Sequence, residues 1–169
     1  LWKNYPHKVC QITNFRGIVY DRSGYGKSPG SLLNRKSDYL HLAADELGDF
    51  LSSLKLDQVH LYGNSDGGSI ALLFASKHQN KVKTIITEAA HVFNETETIL
   101  GVQEDRLLLK EGKMEGLRKY HGNRYKEVFY AWNDIWLDDS FLDWNIENEL
   151  KSITCPVLVI QGKDDQYGT

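Results

Sequence analysis

With 169 residues, 41% of them hydrophobic and 25% charged, the chain has the composition of an ordinary globular domain with a sizeable core. A net charge of −3 with mixed signs leaves no basic patch for nucleic acid, and no apolar run approaches the 18 or so residues needed to cross a bilayer. The N-terminus lacks the charged, apolar, small-residue order of a secretory signal, so the expected location is cytoplasmic, with no membrane partner.

Residues 17–20 are short and β-prone, and run into the glycine-punctuated loop 21–28, so they read as a strand ending at a turn. From 37 to 54, apolar residues fall at 40, 43, 44, 47, 50, 51 and 54, the spacing of an amphipathic helix. Residues 59–62 form the next predicted strand, 69–78 a mostly apolar helix, and 82–87 a further strand. Strands alternating with helices of this length predict parallel pairing in an α/β layer architecture, a mostly parallel sheet flanked by helices. Ligands in such sheets bind beyond the carboxyl ends of the strands.

The alternation then stops. Helices are predicted over 96–110, 114–120 and 125–137, with a shorter piece over 141–149, and no strand among them. Trp132, Trp136 and Trp144 fall here, with Tyr125, Phe129, Tyr130 and Phe141, as suits a lid whose rings wall a small-molecule pocket or fill the lid's own core. Residues 156–160 return as a strand, apolar on both faces and so expected to be buried, and lead to Asp164 and Asp165. The expected domains are 1–93, the first part of an α/β core; 94–150, a helical lid; and 151–169, an acid-bearing strand of the core, truncated. Leu1 opens the chain and Met114 is its one methionine, so the chain is expected to be a piece of a longer one. Cys10 and Cys155 lie far apart without metal-ligand spacing and read as free thiols; no metal site is expected.

Chemistry enters at Gly63-Asn64-Ser65-Asp66-Gly67, a G-x-S-x-G turn between a predicted strand and a predicted helix. A bend that tight forces its central residue into a strained backbone conformation and requires nearly side-chain-free neighbours, the role assigned to Gly63, Gly67 and Gly68. Ser65 would project beside the N-terminus of the following helix, where unpaired N–H groups favour developing negative charge. A serine needs a base to take its proton, and the base needs a carboxylate to orient it. Asp165, at the end of the last strand, is the preferred acid over its neighbour Asp164; Glu88, at the end of strand 82–87, is a second candidate. Among the six histidines only His91 follows a strand on the correct edge, yet it precedes Asp165, so it reads as a pocket or hinge residue. Asn64, Glu88, His91, Trp132 and Trp136 are the candidate pocket residues.

Three motifs occur in order: Asp21, Gly24, Gly26 and Ser28 as D-x-x-G-x-G-x-S, the serine turn with its S-D-G-G variant over 63–68, and P-V-L-V-I-x-G-x-x-D over 156–165. On these the chain resembles the α/β-hydrolase superfamily, in its lidded esterase and C–C hydrolase branch. The resemblance implies Ser65 as nucleophile, Asp165 as triad acid, the Asp66 N–H as one oxyanion donor, a small-molecule substrate and no cofactor. It also implies that the second oxyanion donor precedes residue 1 and that the catalytic histidine follows residue 169, leaving the piece alone inactive. Epoxide hydrolases and haloalkane dehalogenases of this fold place an aspartate where this chain has Ser65. Similarity to S-D-G-G hydrolases of amino-acid esters makes the Asp66 carboxylate a candidate partner for a substrate cation, with a solubilising or capping role as the alternative. The expected reaction is hydrolysis of a small ester or related acyl compound; hydrolysis of a C–C bond in a diketone-like compound and binding without turnover are the alternatives.

Overall fold

A computed structural model describes residues 2–32 and 35–168. Its centre is a parallel sheet of β1 (Val59–Asn64), β2 (Val82–Glu88) and β3 (Val157–Ile160), in that spatial order. Parallel neighbours cannot be joined by a tight hairpin, so each connection carries helix: α3 (Asp66–Lys77) between β1 and β2, and a long helical segment between β2 and β3. Asn64 lies opposite Glu88 and Glu88 opposite Ile160, so the carboxyl ends of all three strands form one edge.

Burial explains why the elements sit where they do. Along α2 (Tyr39–Ser53), Leu40, Ala44, Leu47 and Leu51 form one buried stripe, which packs against α3. Helix α3 is buried from Ile70 to Ala75, with Phe74 fully enclosed, because it lies between α2 and the sheet. Each such Leu, Ile or Phe contributes about 1.5–3 kcal/mol by leaving water.

The segment after β2 forms α4 (Thr96–Lys110), α5 (Arg118–His121), α6 (Tyr125–Trp136) and α7 (Glu147–Leu150). Leu109, Tyr125 and Phe129 make a small core of their own, whereas Trp136, Phe141, Trp144 and Ile146 join the main core. The rings therefore do two jobs. Among the described residues no helix is long and apolar enough to cross a membrane. Cys10 and Cys155 are free and half-buried.

The structure departs from the sequence-based expectations in five places. Residues 17–20 are extended but belong to no ladder among the described residues. A strand is defined by its partner, and β1 pairs here only with β2; Tyr20 instead stacks on Phe50 of α2, its ring 4.6 Å away. Strand β3 is exposed rather than buried, from 39% at Val157 to 68% at Val159, because among the described residues no helix covers it as α3 covers β1 and β2. Helix α3 begins at Asp66, earlier than its apolar run, since the Ser65 carbonyl already accepts from the N–H groups of Gly68 and Ser69. The expected helices over 114–120 and 141–149 each break into a single 3-10 turn and a one-turn α-helix. Helix α1 (Tyr5–Thr13) was not foreseen; it starts with Pro6 in its first turn, where the missing N–H costs nothing, and ends at left-handed Asn14.

Candidate active site

Ser65 stands between the end of β1 and the start of α3 with φ 52° and ψ −127°, a conformation that costs a non-glycine residue about 1–3 kcal/mol. The surroundings hold it there. Its N–H donates to the Glu88 carbonyl at 2.9 Å, and its own carbonyl accepts from Gly68 at 2.8 Å. A side chain on residue 63 would lie 2.2 Å from the Gly67 carbonyl oxygen, and one on residue 68 would meet the Ala90 side chain at 2.5 Å. Both positions therefore require glycine. At Gly67 the space is open, so the expected steric need for glycine does not arise there.

Asp66 is the first residue of α3, so its N–H has no carbonyl one turn back to bond and is free to point at an anion. Its side chain is occupied elsewhere. Buried at 6% exposure, the carboxylate accepts from Arg22 at 3.3 Å and from the Tyr39 hydroxyl at 3.2 Å. Burial disfavours charge on Arg22, but Asp66, Tyr25 and Tyr39 together outweigh it and hold the guanidinium above its usual range. This pair fastens the Asp21–Ser28 loop to the serine turn; buried, away from the wall of the Ser65 cavity and without a side-chain cap bond, the carboxylate serves as an internal tie rather than as the expected substrate-facing, solubilising or capping group. On the far side of Asp66 a hollow of about 450 Å³, lined by Arg22, Tyr25, Arg35 and Tyr39, does not include Ser65.

Ser65 opens instead on a cavity of about 350 Å³ that also takes in Asn64, His91, Trp132, Trp136 and Asp165. Residues from the serine turn, the loop after β2, helix α6 and the loop after β3 thus share one space. Asp165 is half-buried at its wall while Asp164 is exposed. The Asp165 carboxylate accepts from the Tyr167 N–H at 2.9 Å and from the Gln161 side-chain amide at 3.3 Å. Glu88 is not part of the wall. Its carboxylate accepts from the Tyr62 hydroxyl at 3.0 Å, and its contribution to the turn is the backbone carbonyl that fixes Ser65.

His91 packs edge-on against Trp136, ring centres 5.0 Å apart, and its Nε2 lies 2.9 Å from the Tyr167 carbonyl. A carbonyl only accepts, so Nε2 carries a proton; in the neutral ring the lone pair is on Nδ1, which is enclosed without a partner. That ring lines the cavity and pins the loop.

Four lining residues were missed in the sequence: Ala89 just after β2, which no local pattern marks, Thr98 and Val102 of α4, and Tyr167. Thr98 and Val102 lie a turn apart on one face of a predicted helix, and Tyr167 is the aromatic ring two positions past the acid; these were the available signals.

Comparison with known proteins settles the family. Residues 6–117 match the family model described as the alpha/beta hydrolase fold. The chain belongs to the α/β-hydrolase family. It is 29% identical over 159 residues to the human serine hydrolase BPHL, covering 89% of this chain but 54% of the human protein. To 2-hydroxy-6-oxononadienedioate/2-hydroxy-6-oxononatrienedioate hydrolase of Burkholderia vietnamiensis it is 24% identical, over 98% of this chain and 66% of that one. A crystal structure of carboxylesterases from the thaumarchaeon Nitrososphaera gargenis superposes with a TM-score of 0.71 at 20% identity, covering 98% of this chain and 68% of that chain. These relatives are hydrolases, and this α/β-hydrolase chain spans little more than half to two thirds of the lengths of the two curated ones.

Proposed function

We propose that the protein is a serine hydrolase that cleaves a small ester or related acyl compound through an acyl-enzyme on Ser65. The observation that carries the reading is that Ser65, held in a left-handed bend, and Asp165, at the end of a different strand, open on the same cavity. In this scheme the Ser65 hydroxyl attacks the carbonyl carbon while a histidine from outside the described residues takes its proton. Asp165 orients that histidine, and the Asp66 N–H at the start of α3 donates to the oxyanion. The histidine returns the proton to the leaving group, and water then releases the acyl group by the same steps. The scheme requires neither metal nor organic cofactor. Residues 94–150 act as the lid, and Val102, Trp132 and Trp136 give the acyl group neutral, largely apolar walls. By itself the 169-residue chain is inactive under this reading, in which His91, bound through Nε2 to the Tyr167 carbonyl, lines the cavity without serving as the base.

A fluorophosphonate probe applied to the whole protein tests the proposal: Ser65 is labelled and Ser65→Ala is not. A folded protein that takes no label refutes it. The similarity to the Burkholderia C–C hydrolase supports a second reading on the same serine. Turnover of p-nitrophenyl acetate against a vinylogous diketone separates the two.

A further inference from the structure

Tyr167 stands at the junction of the two parts of the protein that must meet for Asp165 to work. Its N–H donates to Asp165 at 2.9 Å. Its carbonyl accepts from the Thr98 hydroxyl of α4 at 2.5 Å and from His91 Nε2 at 2.9 Å. Its hydroxyl donates to the Asp105 carboxylate, about two turns further along α4, at 2.5 Å. Its ring meets Trp132 of α6 edge-on, centres 6.3 Å apart. One residue therefore touches the acid, the loop after β2 and two helices of the segment above the cavity.

The helix is shaped to receive it. A side chain on Gly101 of α4 would lie 2.6 Å from the Gln166 carbonyl oxygen and 2.9 Å from the Tyr167 ring. The acid loop lies directly on helix backbone there, a fit independent of the hydrogen bonds. Asp105 is 5% exposed, and its burial raises its carboxyl above the ordinary range even as the Tyr167 hydroxyl lowers it. Strand β3 contributes its backbone pairing with β2 but little side-chain burial, since its four residues are exposed.

We propose that Tyr167 is a positioning residue: by docking the acid loop on α4 it sets the orientation of the Asp165 carboxylate, so that the seating of the helical segment and the readiness of the triad are one adjustment. This rests on Asp165 being the triad acid, as proposed above. The residue acts through Asp165, and its contribution disappears when Asp165 is disabled.

A double-mutant cycle on the whole protein measures this with kcat for a small acetate ester and the rate of fluorophosphonate labelling. Asp165→Asn is expected to lower kcat about 10³- to 10⁴-fold. Tyr167→Phe, which loses only the bond to Asp105, lowers it about three- to tenfold. Tyr167→Ala lowers it about 10- to 100-fold, the scale of a misplaced catalytic group, with KM moving less than kcat. In the Asp165→Asn background both Tyr167 changes add little. Gly101→Ala removes no cavity-lining atom but pushes on the loop from the helix side, and it lowers kcat only when Asp165 is present. Should Tyr167→Ala fail to fold, Tyr167→Phe and Gly101→Ala carry the test. If the losses multiply with that of Asp165→Asn, or Gly101→Ala keeps full kcat, the inference is overturned while the serine mechanism stands. If Asp165→Asn keeps full activity, the acid assignment fails and takes this inference with it.

Discussion

The turn that carries Ser65 is fixed by backbone hydrogen bonds at the head of a deeply buried helix, whereas the loop that carries Asp165 follows an exposed strand and is held by hydrogen bonds and by its packing on α4. Leu73 and Phe74, further along the helix that begins at the turn, are 1% and 0% exposed, so the turn heads an element fixed in the core. Behind Asp165, the β3 residues are 39–68% exposed, and the loop keeps its place through Gln161, Tyr167, Thr98 and His91. Burial is non-directional and adds over many atoms, which suits a residue that must bear backbone strain. Hydrogen bonds are few and directional, which suits a carboxylate whose angle matters more than its depth.

The sharpest way to break this comparison is to remove core volume behind the serine. Phe74→Ala is expected to destabilise the protein by about 3–5 kcal/mol, the cost of a large buried ring lost with little chance of collapse around the cavity. Urea unfolding checks it. A loss under about 1 kcal/mol would mean that α3 is not the anchor of the turn.

The two regions were also unequally legible in the sequence. The serine turn was readable because its needs are local: Gly63 and Gly68 clash with atoms within the turn or just beyond β2, and the strand and helix on either side carry their own periodicity. The parallel sheet followed from alternation, and α2 from its spacing. Exposure of β3 was not readable, because an apolar run such as Val157-Leu158-Val159-Ile160 looks the same whether or not a helix covers it; only tertiary contacts decide. The same reason removed residues 17–20 from the sheet. The Asp66–Arg22–Tyr39 group was invisible for another reason. Its members lie 27 and 44 positions apart, and no local pattern marks a buried ion pair. Placement of Asp165 at the cavity, with Tyr167 beside it, likewise depends on contacts with α4 that lie more than sixty positions away.

A pH titration probes the hydrogen-bonded side of the comparison with a smaller effect. His121 of α5 accepts the Gly26 N–H on Nδ1 at 3.3 Å, and Arg124 donates to the Gly30 carbonyl at 3.2 Å, so the glycine loop is latched to the helical segment. Burial pushes the His121 imidazole below its ordinary 6.5, with nearby Asp21 opposing the shift and Arg124 adding to it. Because the unfolded chain takes up this proton more readily than the folded one, the contribution is complete above pH 6.5 and is lost as pH falls below it. Protonation also removes the lone pair that accepts from Gly26. Thermal unfolding between pH 7.5 and pH 5.5 is expected to show a fall that is smaller in His121→Phe; an unchanged slope would dissociate the latch from this histidine.

The smallest effect belongs to the exposed strand, and it is informative for that reason. Val159 is 68% exposed on β3, so Val159→Lys removes little buried surface and is expected to change stability by no more than about 0.5 kcal/mol, several-fold less than Phe74→Ala. A lysine on an open strand edge also opposes pairing with the edge of a second molecule, so the variant of the 169-residue chain should sediment with less self-association than the parent. Both outcomes follow from Val159 facing solvent. A loss of several kcal/mol would instead mean that Val159 is covered, and the contrast between the buried helix that follows the serine and the exposed strand that precedes Asp165 would then no longer separate the two regions.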